Sequence, residues 1–294
     1  MSAWRARLKR RLPGPAVGVA AAARRAAGDR LAADAPVSRL AGFVFRHAYP
    51  DVVAPRTAGL AAHEMRWMSQ NGEDGIILHL LSRLGVTAGC TSVEIGAGDG
   101  RECNTAMLTV HFGWRGLLVD GDAGHVQTAR RFYRRRLGTE EGRVSIVQAI
   151  VTAENINRLL ARQGWTGEVD LLAIDIDGMD YWVWAALEQV SPRVVVIEFN
   201  PGLGAERAVV VPYRPDFDRF AADPTGCFFG ASLAALAKLG AVRGYVLVGC
   251  DSTGTNAFFV RADQAVGVVD EVTPVAALPG WPAAVPALGG YIEV

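Results

Sequence analysis

The sequence predicts an α/β fold: a doubly wound, mostly parallel sheet with helices on both faces, preceded by a helical extension. Three observations carry this expectation. Runs rich in Val, Ile and Leu recur between residues 91 and 199 and alternate with stretches of helical spacing, the pattern of strands buried on both faces. A glycine-rich loop, VEIGAGDG (93–100), follows the first run and leads into a helix. Two late apolar runs, GYVLVGC and NAFFV, flank DSTGTN, a tight-turn signal that makes them an antiparallel hairpin.

Along the chain, SAWRARLKRRL places Trp4, Leu8 and Leu12 on one face of a short basic helix. Residues 1–31 carry eight Lys and Arg against the single acid Asp29. Such an arm is either solvated or makes a weak contact with an anionic surface or a partner subunit. Residues 16–47 are alanine-rich and helical in pattern; their apolar face must pack on the rest of the chain or on a second copy, which makes a homodimer an expected assembly. SQNGEDGIILHLLSRLG reads as a capped helix closed by Gly85. The expected strands are 91–95, 116–120, 144–150, 170–175 and 193–199. The helices between them are Asn104–Phe112, Ala123–Arg136, Ala153–Arg162 and Tyr181–Gln189. GASLAALAKLG is a further helix, and the last 25 residues, with four prolines, read as a tail laid over the surface. This divides the chain into an extension (1–62), an α/β domain (63–263) and a Pro-rich tail (264–294).

Composition bounds the function. The chain has 294 residues, half of them hydrophobic, and a formal net charge of +0. That balance gives no support to nucleic acid as a partner. Cys90, Cys103, Cys227 and Cys250 are scattered with no CxxC pair, so neither zinc nor a disulfide framework is expected, and a reducing cytoplasm suits them. No run approaches the roughly 20 apolar residues of a membrane span, and Pro13 and Pro15 interrupt the short apolar stretch that might otherwise pass for a leader.

The loop VEIGAGDG narrows the ligand. A dinucleotide fingerprint needs G-x-G-x-x-G, but the glycines here are Gly96, Gly98 and Gly100, and position 101 is Arg. Glu94 and Asp99 put negative charge where a pyrophosphate would lie. Carboxylates there suit a ligand with a cationic amine or sulfonium, which points to S-adenosylmethionine (SAM) bound along Glu94, Gly96, Ala97, Gly98 and Asp99. Asp120 ends the second strand with Asp122 beside it, a position from which a carboxylate accepts both ribose hydroxyls of a nucleoside. The bland alternative makes both of them turn residues.

Taken in order, SQNGEDGII, VEIGAGDGRECNT, GWRGLLVDGD, IDIDGMDYWVW, VVVIEFN, FGASLAAL and GYVLVGCDSTGTNAFFVR resemble the FkbM-type group of bacterial class I SAM-dependent methyltransferases. The resemblance covers about residues 63–263. It implies a Rossmann-like sheet of seven strands, the last antiparallel, and methyl transfer, usually to oxygen. The acceptor would then be a hydroxyl on a small molecule, a polyketide or a sugar. A non-catalytic SAM-fold ligand-binding or scaffold protein is the alternative.

The strand ends carry the candidate chemistry. Asp175 ends the fourth expected strand, and Glu198 and Asn200 end the fifth. In parallel sheets these ends face the ligand crevice, about 4.8 Å apart on neighbouring strands. With Asp177, they form an oxygen-only set suited to Mg2+, Mn2+ or Ca2+. Catechol-type O-methyltransferases hold a Mg2+ at similar positions; this chain departs from them in reading E-F-N where they have adjacent Asp-Asn. Three readings therefore stay open for Asp175 and Asp177: metal ligand, general base, or contact to the methionine amine. Asp180 is expected to cap the helix after it. His111 and His125 are candidate bases, with a structural role as the plainer reading. Tyr181, Trp182 and Trp184 either line the acceptor pocket or pack on the sheet.

Overall fold

The computed structural model describes residues 59–86, 90–137, 142–278 and 290–294. The basic arm, the alanine-rich segment and the dimer expected from it lie outside the described residues. Nine strands are described: β1 (Thr91–Ile95), β2 (Arg115–Asp120), β3 (Val144–Gln148), β4 (Gly167–Ile174), β5 (Val190–Glu198), β6 (Val209–Val210), β7 (Tyr245–Cys250), β8 (Asn256–Arg261) and β9 (Ile292–Glu293). Seven of them form one sheet in the order β3-β2-β1-β4-β5-β8-β7. All its pairs are parallel except those of β8, which runs antiparallel to β5 and to β7. This is the doubly wound sheet expected, with the late hairpin supplying the reversed strand.

Both faces of the sheet are buried, which is why its strands read as continuous apolar runs rather than alternating ones. On one face Ile95, Val119, Ile174 and Ile197 pack with Trp184 and Phe259. On the other, Ala173, Val196 and Phe258 meet Ile76, Ile77 and Leu80 of helix α1 (Glu73–Arg83). Helices α2 (Ala106–His111), α3 (Ala123–Leu137), α4 (Ile156–Arg162), α5 (Asp180–Ala186), α6 (Arg219–Ala222) and α7 (Leu233–Val242) connect the strands. Trp184 belongs to the core, whereas Trp182 is half-buried and its indole N–H donates to Val211 O at 2.8 Å. The arginines of RRFYRRR line the solvent side of α3, with Tyr133 and Leu137 facing inward.

Three differences from the expected elements bear on the site. β4 starts at Gly167 and stops at Ile174, so Asp175 stands just past the strand; its backbone N–H donates to Ile95 O at 2.9 Å. Helix α1 has Gly72 at its N-cap position and is capped from further back, by Ser69 Oγ, which accepts the Asp74 N–H at 3.0 Å. In return, one buried oxygen of Asp74 accepts the N–H groups of Trp67, Met68 and Ser69 at 2.6–2.7 Å, folding residues 67–69 over the helix start. The tail is more than a surface strap. Helices α8 (Ala262–Ala265) and α9 (Pro274–Ala277) precede the Pro-rich stretch, and β9 near the chain end pairs with β6.

Candidate active site

Strand register assembles the site. Ile95 pairs with Ile174, and Ile174 with Ile197. The residues that follow, Gly96, Asp175 and Glu198, therefore emerge side by side at the carboxyl edge of the sheet. Because β8 is reversed, its first residue, Asn256, is the partner of Glu198 and reaches the same edge.

The glycine loop turns tightly at Gly96, where φ is 86° and an added Cβ would lie 1.7 Å from Asp175 O. Only glycine permits that approach. Gly96 and Ala97 both donate to Val119 O, and the Gly98 N–H donates to Asp120 Oδ2 at 2.7 Å. Asp120 thus faces the loop, and its Oδ1 accepts the Asp122 N–H at 2.8 Å, as a turn residue would. Burial raises its carboxyl above the ordinary range, against the pull of the Asp122 and Gly98 amides. Glu94 is buried beneath the loop and accepts from Asn104 N at 3.1 Å and Thr105 N at 2.7 Å. Two further expected cofactor contacts have local partners. Asp99 pairs with Arg101 through its side chain and backbone, and Asp122 accepts the His125 N–H at the start of α3.

A small cleft, open to solvent, lies beside Glu94 and Gly96. Glu73, Glu94, Glu102 and Asp175 line it, with Gln70, Asn104 and Asn256, and no Lys, Arg or His is among its lining residues. Such a lining suits a cation or a cationic group.

On the other side of Asp175 lies the acidic cluster. One carboxylate oxygen each of Asp175, Asp177 and Glu198 fall within 4.8 Å of one another. Glu198 is buried and its Oε2 has no hydrogen-bond partner. Asp177 has φ 62°, the one non-glycine residue with positive φ among the described residues. Asp tolerates this left-handed region better than most side chains. The turn is held from two sides. Asp180 accepts the N–H groups of Ile176 and Gly178, at 2.8 and 2.9 Å, so it staples the loop rather than capping α5, of which it is the first residue. Phe217 packs its ring where a Cβ on Gly178 would stand, 2.4 Å away.

Arg219, which no sequence pattern marked, completes the cluster. Its side chain is 2% exposed; Nη1 lies 2.9 Å from Asp177 Oδ1 and 3.9 Å from Glu198 Oε1. Nε donates to Gly226 O, and the guanidinium stacks on Phe229 at 3.5 Å. Even with this cation present, burial and the neighbouring acids, Asp175 foremost, push the Glu198 carboxyl well up; burial and Asp175 bring Asp180 to about 7. Asn200, expected as a metal ligand, is turned to another task. Its amide donates to Cys227 O and Phe229 O, and its Oδ1 accepts from Gly202 N. His111 stacks on Trp67, with its pKa lowered to about 4 by burial, so it stays neutral as a packed ring; His125 hydrogen-bonds Asp120.

The buried carboxyls of Glu94 and Asp74 imply a pH dependence. Burial raises Glu94 to about 7 and Asp74 to about 6. Both folded-state values exceed those of an unfolded chain, about 4. Between about pH 4 and 7 the native state therefore holds protons that the unfolded chain has released, and stability falls as pH rises through that window. Urea unfolding of the ligand-free protein should give a higher midpoint at pH 5 than at pH 7.5, with the difference reduced in Glu94→Gln. A midpoint rising with pH in both proteins would contradict this.

No family model and no curated protein matches the sequence, so the FkbM-type resemblance rests on its motifs alone. Among the described residues, no helix is long and apolar enough to cross a membrane. Solved structures that resemble the fold include the glycopeptide N-methyltransferase MtfA complexed with S-adenosyl-L-homocysteine (14% identity, 74% of this chain and 98% of that one, TM-score 0.41). The METTL16 methyltransferase domain is similar at 12% identity, over 78% of this chain and 80% of that one, with a TM-score of 0.40. Precorrin-6y C5,15-methyltransferase from Geobacter metallireducens is similar at 12% identity, over 67% and 90% of the two chains, with a TM-score of 0.38.

Proposed function

We propose that this protein is a SAM-dependent methyltransferase that methylates a hydroxyl of a small molecule, polyketide or sugar. The observation that carries the reading is the place of Asp175. It lines the acidic cleft beside Glu94 and Gly96, and it also belongs to the cluster with Asp177 and Glu198. A methyl donor in the cleft and an acceptor over the cluster would meet at this residue.

Bound in the cleft, SAM supplies an electrophilic methyl group on a sulfonium. Asp120 accepts from the ribose hydroxyls, and the turn at Gly96 lets the backbone approach the donor. The acidic lining favours the cationic donor over its neutral sulfide product, which is the direction turnover requires. An alcohol is a weak nucleophile at neutral pH, and its proton must leave as oxygen attacks the methyl carbon. The cluster offers carboxylate oxygens to receive that proton. Asp175, Asp177 and Glu198 also fit a divalent cation such as Mg2+, Mn2+ or Ca2+: the donors are all oxygen and one buried oxygen of Glu198 is unsatisfied. Such an ion supplies acidification of a hydroxyl. In this reading Arg219 balances part of the cluster's charge, and Asn200 is left out of the ligand set.

Calorimetry tests the cofactor. S-adenosylhomocysteine (SAH) should bind and NAD should not, and Asp120→Ala should weaken SAH by about 1–3 kcal/mol through loss of a charged acceptor. Binding of NAD in preference to SAH would sink the proposal. Tight SAH binding with no transfer to any hydroxyl-bearing acceptor would favour the non-catalytic alternative.

A further inference from the structure

The cleft contains a pair of side chains that methyl transfer itself does not require. Glu73, in the first turn of α1, and Asn256, at the start of β8, are both buried, and Asn256 Nδ2 donates to Glu73 Oε1 at 2.9 Å. That bond fixes the orientation of the Asn256 amide, because the flipped amide would set its oxygen against a carboxylate. Its Oδ1 then has no hydrogen-bond partner, although the residue is 3% exposed. Glu73 accepts from Asn71 N at 2.7 Å, from Asn71 Nδ2 at 3.2 Å and from Asn256, which leaves one of about four acceptor positions on a carboxylate. A buried amide oxygen without a donor is costly. What the pair lacks is a group that only donates.

We propose that Glu73 and Asn256 form a recognition site for the α-ammonium group of the cofactor's amino-acid end. This rests on the reading that SAM occupies the cleft. An ammonium has three N–H donors and no acceptor, so it satisfies Asn256 Oδ1 and the remaining acceptor of Glu73 together. Its charge suits a lining that contains four carboxylates. The plainer role of the pair is a tie between α1 and β8, but a tie uses Nδ2 alone and leaves Oδ1 unexplained. The site discriminates ligands that carry the amino-acid end from adenosine thioethers that lack it.

The test compares SAH with 5′-methylthioadenosine, which keeps the adenosine and the sulfur but has no ammonium. The full-length wild-type protein should bind SAH at least tenfold more tightly. Glu73→Gln and Asn256→Ala should each weaken SAH roughly tenfold or more, the effect of losing a hydrogen bond to a charged group. Both should leave methylthioadenosine within about threefold, and that binding doubles as the check that each variant is folded. Equal loss of both ligands, or no loss of either, would overturn the proposal and leave the pair as a structural tie. Wild-type protein that binds neither ligand would instead overturn the cofactor assignment beneath it.

Discussion

Replacing Asp175 by Asn is expected to abolish methyl transfer while SAH affinity stays within about tenfold, because the loss falls on the transition state rather than on cofactor binding. Asp175 is the residue common to the cleft and the cluster. Asn keeps its size and one acceptor oxygen, so the glycine turn, held by the backbone of residue 175, should survive. What is lost is the charge that, in the proposed reaction, takes up the hydroxyl proton or holds a cation. Single-turnover measurement with labelled SAM and the acceptor separates the two steps. If exhaustive EDTA treatment of the wild type reproduces the loss and Mg2+ or Mn2+ restores activity, the charge acts through a metal. If EDTA has no effect, the metal is ruled out, and Asp175 or Asp177 acts as the direct base or as a ligand of the methionine amine. An Asp175→Asn enzyme with near wild-type turnover would remove it from the chemistry altogether.

The largest stability effect should come from Arg219→Met. Removing one member of a buried ion cluster leaves the others uncompensated, and such losses amount to about 3–5 kcal/mol. The side chain is 2% exposed, pairs with Asp177, approaches Glu198 and stacks on Phe229, so charge, hydrogen bonding and packing all go at once. Adding Glu198→Gln to this variant should recover part of the loss, because the two residues share one network and their effects are not additive. Urea unfolding of the two single variants and the double variant measures this. A loss under about 1 kcal/mol in Arg219→Met would mean that the cluster is neutral without it.

Cleft and cluster were unequally legible. Glu94, Gly96, Asp120 and Asp175 follow local rules: an apolar strand, then a tight turn, then an acid at the strand end. Asp99, Asp120 and Asp122 all hold local partners, Arg101, the Gly98 N–H and the His125 N–H, because a short acid beside a free backbone N–H or an arginine is readily satisfied nearby. Asp180 was legible as a partner for backbone amides, but those it holds belong to Ile176 and Gly178, a choice made by the left-handed turn at Asp177. Asn200 is diverted by the contacts of its amide with Cys227 O and Phe229 O, near 30 residues further on.

By itself, the sequence determined the doubly wound sheet, its late hairpin and the acids at its edge, since burial on both faces and the 3.6-residue helical period are written into neighbouring residues. Tertiary structure alone decided which groups meet. Arg219 opens the single-turn helix α6, too short to show a period, and Asn256 opens a strand whose reversal brings it level with Glu198 and onto Glu73, 183 residues away in the chain. No local period encodes such meetings. They follow from strand order, from the direction of β8, and from the free energy of leaving a buried charge or amide without a partner.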